Sequence, residues 1–144
     1  MTGHSRDVTF FGDDRQGESL IIVATILADG RVEYLEIRGT SKHRFDTPTF
    51  EHLKTAVAKY PTAERVVMPV PLDDSVAELL KTLTELTHVY AGSVTLSERG
   101  AKTLCGIPSL QVLLVEDFDD ESEDRIRQFQ PAFEIRRGRV PSLY

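Results

Sequence analysis

The sequence of 144 residues contains one cysteine, Cys105, and no tryptophan. A single cysteine excludes an internal disulfide framework and a cysteine-rich zinc site. The longest apolar run extends from Leu20 to Leu27 with one threonine, far short of the roughly 20 residues that a membrane-spanning helix needs. The first residues also lack the apolar segment of a signal peptide. We therefore expect a cytoplasmic protein without a membrane partner.

Motifs that bind nucleotides or activate a nucleophile are missing as well. The sequence contains no GxGxxG, GxxxxGK[ST] or GxSxG motif, and its histidines lack metal-ligand spacing. With 23 acidic and 17 basic side chains, the net charge is -6, which excludes a uniformly basic nucleic-acid-binding surface. We expect no cofactor, no metal and no nucleic-acid partner.

An ordinary globular composition fits a single domain. Apolar residues make up 40% and charged residues 28% of the chain, the balance of a sequence that folds around a core. No linker rich in glycine, serine or proline divides it, so we predict one domain over residues 1–144. Residues 1–62 are expected to form a β-hairpin cap and a first helix, and residues 63–144 to form repeat units.

The N-terminal part carries a hairpin signal. A β-branched segment is followed by Asp29-Gly30 and a second strand-like segment. Asp-Gly suits the positive φ angles of a two-residue turn. In the second arm, Val32, Leu35 and Ile37 are predicted to face inward, and Arg31, Glu33, Glu36 and Arg38 outward. A short strand over Val8 to Phe11 is expected to pair with this hairpin.

A first helix is predicted after the hairpin. Thr47 is a candidate N-cap, and Pro48 suits the first helical position. Apolar residues then recur at helical spacing until Pro61, which ends the pattern.

From Ala63 the chain repeats a short apolar strand followed by an amphipathic helix. Units start at Ala63, Leu86, Leu110 and Ala132, at spacings of 23, 24 and 22 residues. The first, fourth and sixth positions of the first three units are apolar: Ala63, Val66, Met68, Leu86, Val89, Ala91, Leu110, Leu113 and Val115. The candidate helix N-caps are Asp73 or Asp74, Ser97, and Asp120 or Ser122. A single unit cannot bury its own apolar face, so the pattern predicts stacked units with parallel strands.

The most specific stretch is LSERGAKTLCGIPSLQVLLV, from Leu96 to Val115. It resembles a bacterial leucine-rich repeat, whose unit runs roughly LxxLxL, a turn, a helix and a second leucine pattern. The resemblance covers about half of the chain, from Ala63 to Ile135. It implies a right-handed α/β solenoid of about three to four units with parallel strands, closed by the antiparallel hairpin. The asparagine ladder of many family members is missing.

Outward strand positions are predicted to form columns on the open face of the sheet. The third positions are Arg65, His88, Val112 and Glu134, and the fifth are Val67, Tyr90, Leu114 and Arg136. An exposed apolar column often marks an interaction site, and the resemblance implies a non-enzymatic protein-protein interaction module. The candidate binding residues are Arg65, Val67, His88, Tyr90, Val112 and Leu114. Alternatively, the chain's own N-terminal segment or a second copy covers this face, the latter giving a homo-oligomeric structural subunit.

Two further features offer alternative chemistry. Cys105 and His88 would form a nucleophile pair in a small α/β enzyme only if the fold brought them together; otherwise Cys105 is a small core residue. The run from Glu116 to Asp124 holds seven carboxylates in nine residues, but it lacks the glycine of a calcium-binding loop. We expect these acids to pair with the nearby arginines Arg125, Arg127, Arg136, Arg137 and Arg139, which could alternatively bind a phosphate or an acidic partner.

Overall fold

The computed structural model describes residues 5–15, 18–39, 47–129 and 131–138. In chain order, its elements are β1 (Ser5–Arg15), β2 (Glu18–Leu27), β3 (Val32–Gly39), α1 (Thr47–Lys59), β4 (Arg65–Leu72), α2 (Asp74–Leu80), β5 (His88–Val94), α3 (Glu98–Cys105), β6 (Val112–Phe118), α4 (Asp120–Gln128) and β7 (Glu134–Arg137). The strands form a seven-stranded sheet in the order of the chain. The fold is therefore α/β, as predicted.

The type of strand pairing changes once along this sheet. β1, β2 and β3 pair antiparallel, whereas the pairs from β3 to β7 are parallel. Val66 lies beside Val89, and Val89 lies beside Leu113, so equivalent positions of successive units are neighbours. The register thus follows the sequence repeat, which confirms the predicted stacking of parallel strands.

The core lies between the sheet and helices that all pack on one of its faces. The nine apolar repeat positions that the sequence predicts as inward-facing are at most 3% exposed. Helix residues Leu53, Val76, Leu104 and Ile126 belong to the same buried cluster. In the fourth unit, Ala132 and Arg137 are exposed, but Phe133 belongs to the buried cluster and Ile135 packs against it, so the shared core extends into this unit.

The hairpin turn differs from the prediction by one residue. The amide of Leu27 donates to the carbonyl of Arg31 at 2.8 Å, and the amide of Gly30 donates to the carbonyl of Leu27 at 2.9 Å. The loop therefore contains three residues, Ala28, Asp29 and Gly30, rather than two. Gly30 adopts a φ of 91°, the left-handed conformation that closes such a loop. Asp29 contributes by accepting a hydrogen bond from the amide of Arg31 at 3.0 Å.

Two of the three predicted helix caps in the repeat units are confirmed. Asp73 caps α2 and Ser97 caps α3, but α4 is capped by Asp119 rather than by Asp120 or Ser122. The hydroxyl of Ser122 is already committed, because it accepts a hydrogen bond from the amide of Leu96 at 3.1 Å and donates to Asp119. The first helix starts at Thr47 and ends at Lys59, close to the predicted bounds.

Hydroxyl groups and backbone amides connect successive units in place of an asparagine ladder. Thr87 Oγ1 donates to the carbonyl of Glu64 at 3.0 Å, and Ser109 Oγ donates to the carbonyl of Leu86 at 2.6 Å. The amide of Thr95 donates to the carbonyl of Leu72 at 3.0 Å. The bonds of Thr87 and Thr95 join the second unit to the first, and the bond of Ser109 connects the end of the second unit to its first residue.

Candidate functional site on the open face of the sheet

The sheet face opposite the helices carries two rows of neighbouring side chains. The first row, in strand order, is Thr25, Tyr34, Arg65, His88, Val112 and Glu134. The second is Val23, Glu36, Val67, Tyr90, Leu114 and Arg136. The structure therefore brings all of the candidate binding residues together on one face, in the two predicted columns.

The hairpin side of the second row is buried. Val67 is 1% exposed, Glu36 is 4% and Val23 is 3%, and the three are direct neighbours across β2, β3 and β4. The expectation that Val67 is exposed for a partner is wrong, because the chain's own atoms cover it. Glu36 lies on the outward face, as predicted, but it is also covered. Arg38 was also predicted to face outward, but its side chain is not among those that the structure describes.

Val112 is also less accessible than predicted. It is 8% exposed and lies between His88 and Glu134 in the first row. We therefore correct the prediction for Val112 from an exposed contact residue to part of the floor of the face.

Most of the accessible side chains of the face form a continuous group that we call the open strip: Tyr34, Arg65, His88, Tyr90, Leu114 and Arg136. Arg136 is exposed and the others are half-buried. Two further accessible residues of the first row lie at its ends, exposed Glu134 and half-buried Thr25. Tyrosine and arginine are the residue types enriched among the strongest contributors to protein-protein binding. The sequence-based selection missed Tyr34 and left out Arg136; Tyr34 follows from extending the first column across the parallel pair of β3 and β4.

Arg65 is held by an aromatic partner rather than by an acid. Its Nη1 donates to the hydroxyl of Tyr34 at 2.9 Å, and its Cζ lies 5.4 Å from the centroid of the Tyr34 ring. The hydrogen bond with Tyr34 is the main cause of the raised pKa of Arg65. No described carboxylate lies within ion-pair distance of this guanidinium. The charge of Glu33 also raises the pKa of Arg65, but this guanidinium forms no ion pair with a carboxylate in the part of the chain that the structure describes.

His88 and Tyr90 form a second aromatic element of the open strip. Their ring centroids are 5.9 Å apart and the rings are inclined by 27°. Burial lowers the pKa of His88, and the charges of Arg65 and Arg136 lower it further. Burial also raises the pKa of Tyr90. At pH 7 both rings are therefore neutral, which favours their stacking and the apolar character of the centre of the strip.

Cys105 and His88 do not form a catalytic pair. Cys105 ends α3 and packs against the core cluster, on the opposite side of the sheet from His88. Its Sγ lies 3.6 Å from the carbonyl oxygen of Ile126, to which it donates, and burial raises the pKa of the thiol. A cleft of about 90 Å³ beside α3 is lined by Asp74 and Arg99 and contains neither member of the predicted pair.

The acidic run pairs with three of the predicted arginines, whereas Arg136 pairs with Glu134, outside the run. Arg125 contacts Glu121 at 3.1 Å and Arg127 contacts Glu123 at 2.8 Å. Arg137 contacts Asp120 at 3.2 Å and also bonds to Glu123. The bonds from Arg137, and then those from Arg127, lower the pKa of Glu123. In the part of the chain that the structure describes, no group of acids, cysteines and histidines is suited to hold a metal ion; Arg139 lies outside that part.

Comparisons with known proteins add no relative. The chain matches no protein-family model, no curated protein and no solved structure. Among the helices that the structure describes, none has the length and apolar character needed to cross a membrane. The open strip and its geometry are therefore the basis on which a function is proposed.

Proposed function

We propose that the chain is a short, right-handed solenoid of the leucine-rich-repeat type and that it acts as a non-enzymatic protein-protein interaction module. The observation that carries this proposal is the open strip on the helix-free face of the sheet. Leucine-rich repeats use the equivalent face to hold a protein ligand. Cytoplasmic location is part of the proposal, since the lone thiol of Cys105 suits a compartment where thiols stay reduced.

The composition of the open strip supports binding. Tyr34, His88 and Tyr90 have few rotatable side-chain bonds, so they lose little conformational entropy on binding. Arg65 is already oriented by its hydrogen bond to Tyr34. Preorganised side chains lower the entropic cost of binding. Leu114 supplies apolar area beside Tyr90. Rigid strands therefore present aromatic, cationic and apolar groups together, the combination typical of the centre of an interface.

Affinity capture from a native lysate tests this proposal. The wild-type chain is compared with the double variant Tyr90→Asp/Leu114→Asp, which places two charges in the open strip. A control matched in net charge, Arg99→Gln/Lys102→Gln, removes two positive charges from exposed positions of α3. Circular dichroism and thermal unfolding verify that each variant folds.

A partner that is retained by the wild type and the α3 control but lost by the folded strip variant supports the proposal. Equal retention by all three proteins contradicts it. If only the chain itself is captured, the second candidate applies, a homo-oligomeric structural subunit. Half-buried Tyr90 and Leu114 favour this candidate too, because a second copy could cover them. Light scattering of wild type and strip variant separates the two candidates.

A further inference from the structure

The hydroxyl of Thr87 is shared between a backbone carbonyl and the ring of His88. Thr87 Oγ1 lies 3.0 Å from the carbonyl oxygen of Glu64 and 2.8 Å from Nδ1 of His88. The hydroxyl has one proton and can donate it to only one of these atoms. We assign this proton to Glu64, so that Nδ1 of His88 is protonated and donates to Thr87 Oγ1. Neutral imidazole carries one N–H, which leaves Nε2 of His88 as an acceptor.

The guanidinium of Arg65 has donors to spare. It has five N–H groups in a fixed fork, and one of them bonds to the Tyr34 hydroxyl. Arg136, the other cation of the strip, already has Glu134 as its partner. Arg65 is thus the cation of the open strip that is best placed to bind an external carboxylate. A forked guanidinium donates two parallel hydrogen bonds to a carboxylate.

We propose that the partner is an acidic peptide segment, with a carboxylate that pairs with Arg65 and a neighbouring N–H or O–H donor that bonds to Nε2 of His88. This inference rests on the proposed function, because it specifies the chemistry of the partner at the same strip. Arg65 and His88 are direct cross-strand neighbours, so adjacent groups of one peptide can reach both. Tyr90 and Leu114, one row away, accommodate an apolar side chain of the same segment.

The net charge of the chain makes this inference sharply testable. At -6, the protein as a whole repels a polyanion, so binding of an acidic polymer requires a local cationic site. The probes are a random copolymer of glutamate and tyrosine and, as the counterpart of opposite charge, a random copolymer of lysine and tyrosine. Binding is measured by fluorescence anisotropy with the full chain, its Arg65→Gln variant and a control variant, Arg99→Gln, from the helix side.

We expect the wild type to bind the glutamate-tyrosine copolymer, and Arg65→Gln to weaken this binding by about tenfold or more, as expected for loss of a charge-assisted pair. Arg99→Gln is expected to change it by less than about twofold, because Arg99 already pairs with Glu78 on the surface. Tyr34→Phe, which removes the bond that orients Arg65, is a second variant that leaves the charge in place and is expected to weaken binding to a smaller extent.

Several outcomes overturn the inference. If Arg65→Gln and Arg99→Gln weaken copolymer binding equally, the binding depends on the overall charge of the protein and not on a specific site at Arg65. Displacement of the copolymer by inorganic phosphate but not by an equal concentration of acetate would assign the site to phosphate instead of carboxylate. If the wild type binds no acidic copolymer while a captured partner still depends on Tyr90 and Leu114, the acidic chemistry is refuted and the proposed function stands.

The protonation of His88 has its own measurement. Two-dimensional ¹H-¹⁵N correlation of the imidazole nitrogens, with His88 identified by a His88→Asn variant, is expected to show the Nδ1–H form. Thr87→Val removes the hydroxyl that stabilises this form. The substitution should shift His88 toward the Nε2–H form and weaken binding of the glutamate-tyrosine copolymer. An Nε2–H form in the wild type would contradict the assigned acceptor.

Discussion

Replacing Gly100 by alanine tests how neighbouring units are joined. Gly100 is a buried residue in the first turn of α3. A Cβ added there would lie 1.9 Å from Oδ1 of Asp74. Asp74 belongs to α2 in the preceding unit, and its carboxylate accepts from the amide of Ser97 at 3.0 Å and from the hydroxyl of Ser97. An alanine therefore forces the Asp74 carboxylate away from the start of α3.

The two contributions to the free energy of unfolding have opposite signs. Alanine is favoured over glycine in a helix by up to about 1 kcal/mol. Displacing the carboxylate removes two hydrogen bonds worth about 1 kcal/mol each, and crowding adds about 1 kcal/mol or more. We therefore expect Gly100→Ala to destabilise the protein by about 2 kcal/mol. In an Asp74→Ala background the carboxylate is absent and only the end of the Leu96 side chain, 2.9 Å from the added Cβ, must shift, so the same substitution should change stability by less than about 1 kcal/mol.

A double-mutant cycle measured by urea unfolding gives the coupling energy between Gly100 and Asp74. We expect a coupling of about 2 kcal/mol, with unchanged dependence on denaturant concentration, since both residues act within the folded state. An effect of Gly100→Ala that is the same in both backgrounds would refute the argument. It would show that Asp74 does not bridge α2 and α3.

Three further experiments test other parts of the structure. Val67→Asp should lower the free energy of unfolding by about 3–5 kcal/mol, because it buries an unpaired charge, whereas Tyr90→Asp should cost about 1 kcal/mol; equal losses in chemical denaturation would mean that Tyr90 is core. The pKa of Glu123 is lowered in the folded protein, mainly by Arg137. The ion pair therefore stabilises the protein at pH values above the ordinary glutamate pKa of about 4.3, and this stabilisation is lost as the pH falls through the lowered pKa of Glu123. The stability difference between wild type and Arg137→Gln should therefore shrink at about pH 3 relative to pH 7, and a constant difference would contradict the pairing. The thiol of Cys105 should react with a thiol reagent more slowly than free cysteine, because burial raises its pKa; reaction at the rate of free cysteine would show an exposed thiol.

The repeat units and their core could be predicted from sequence because one period determines both. The spacing that makes Val66, Val89 and Leu113 equivalent also places them side by side in the sheet. The same alignment predicted that Arg65, His88 and Tyr90 share a face. A repeated pattern therefore carries long-range information that is normally hidden in a single sequence.

Burial of Val67 and Glu36 could not be predicted in the same way. Alternation along a strand gives the direction of a side chain, but it does not show which other part of the chain covers it. The prediction of the α4 cap was wrong for a related reason. Asp119, Asp120 and Ser122 are all good capping residues, and the choice depends on the bond of Ser122 to Leu96 in the preceding unit.

Site-specific photocrosslinking tests most directly whether the open strip is the binding surface. A benzophenone amino acid replaces Tyr90 in one protein and Glu78, an exposed residue of α2, in the control, and both are irradiated in cells. We expect a covalent adduct heavier than the chain from position 90 and none from position 78, with an adduct of twice the chain mass indicating self-association. Adducts from position 78 alone would contradict the assignment of the open strip as the binding surface.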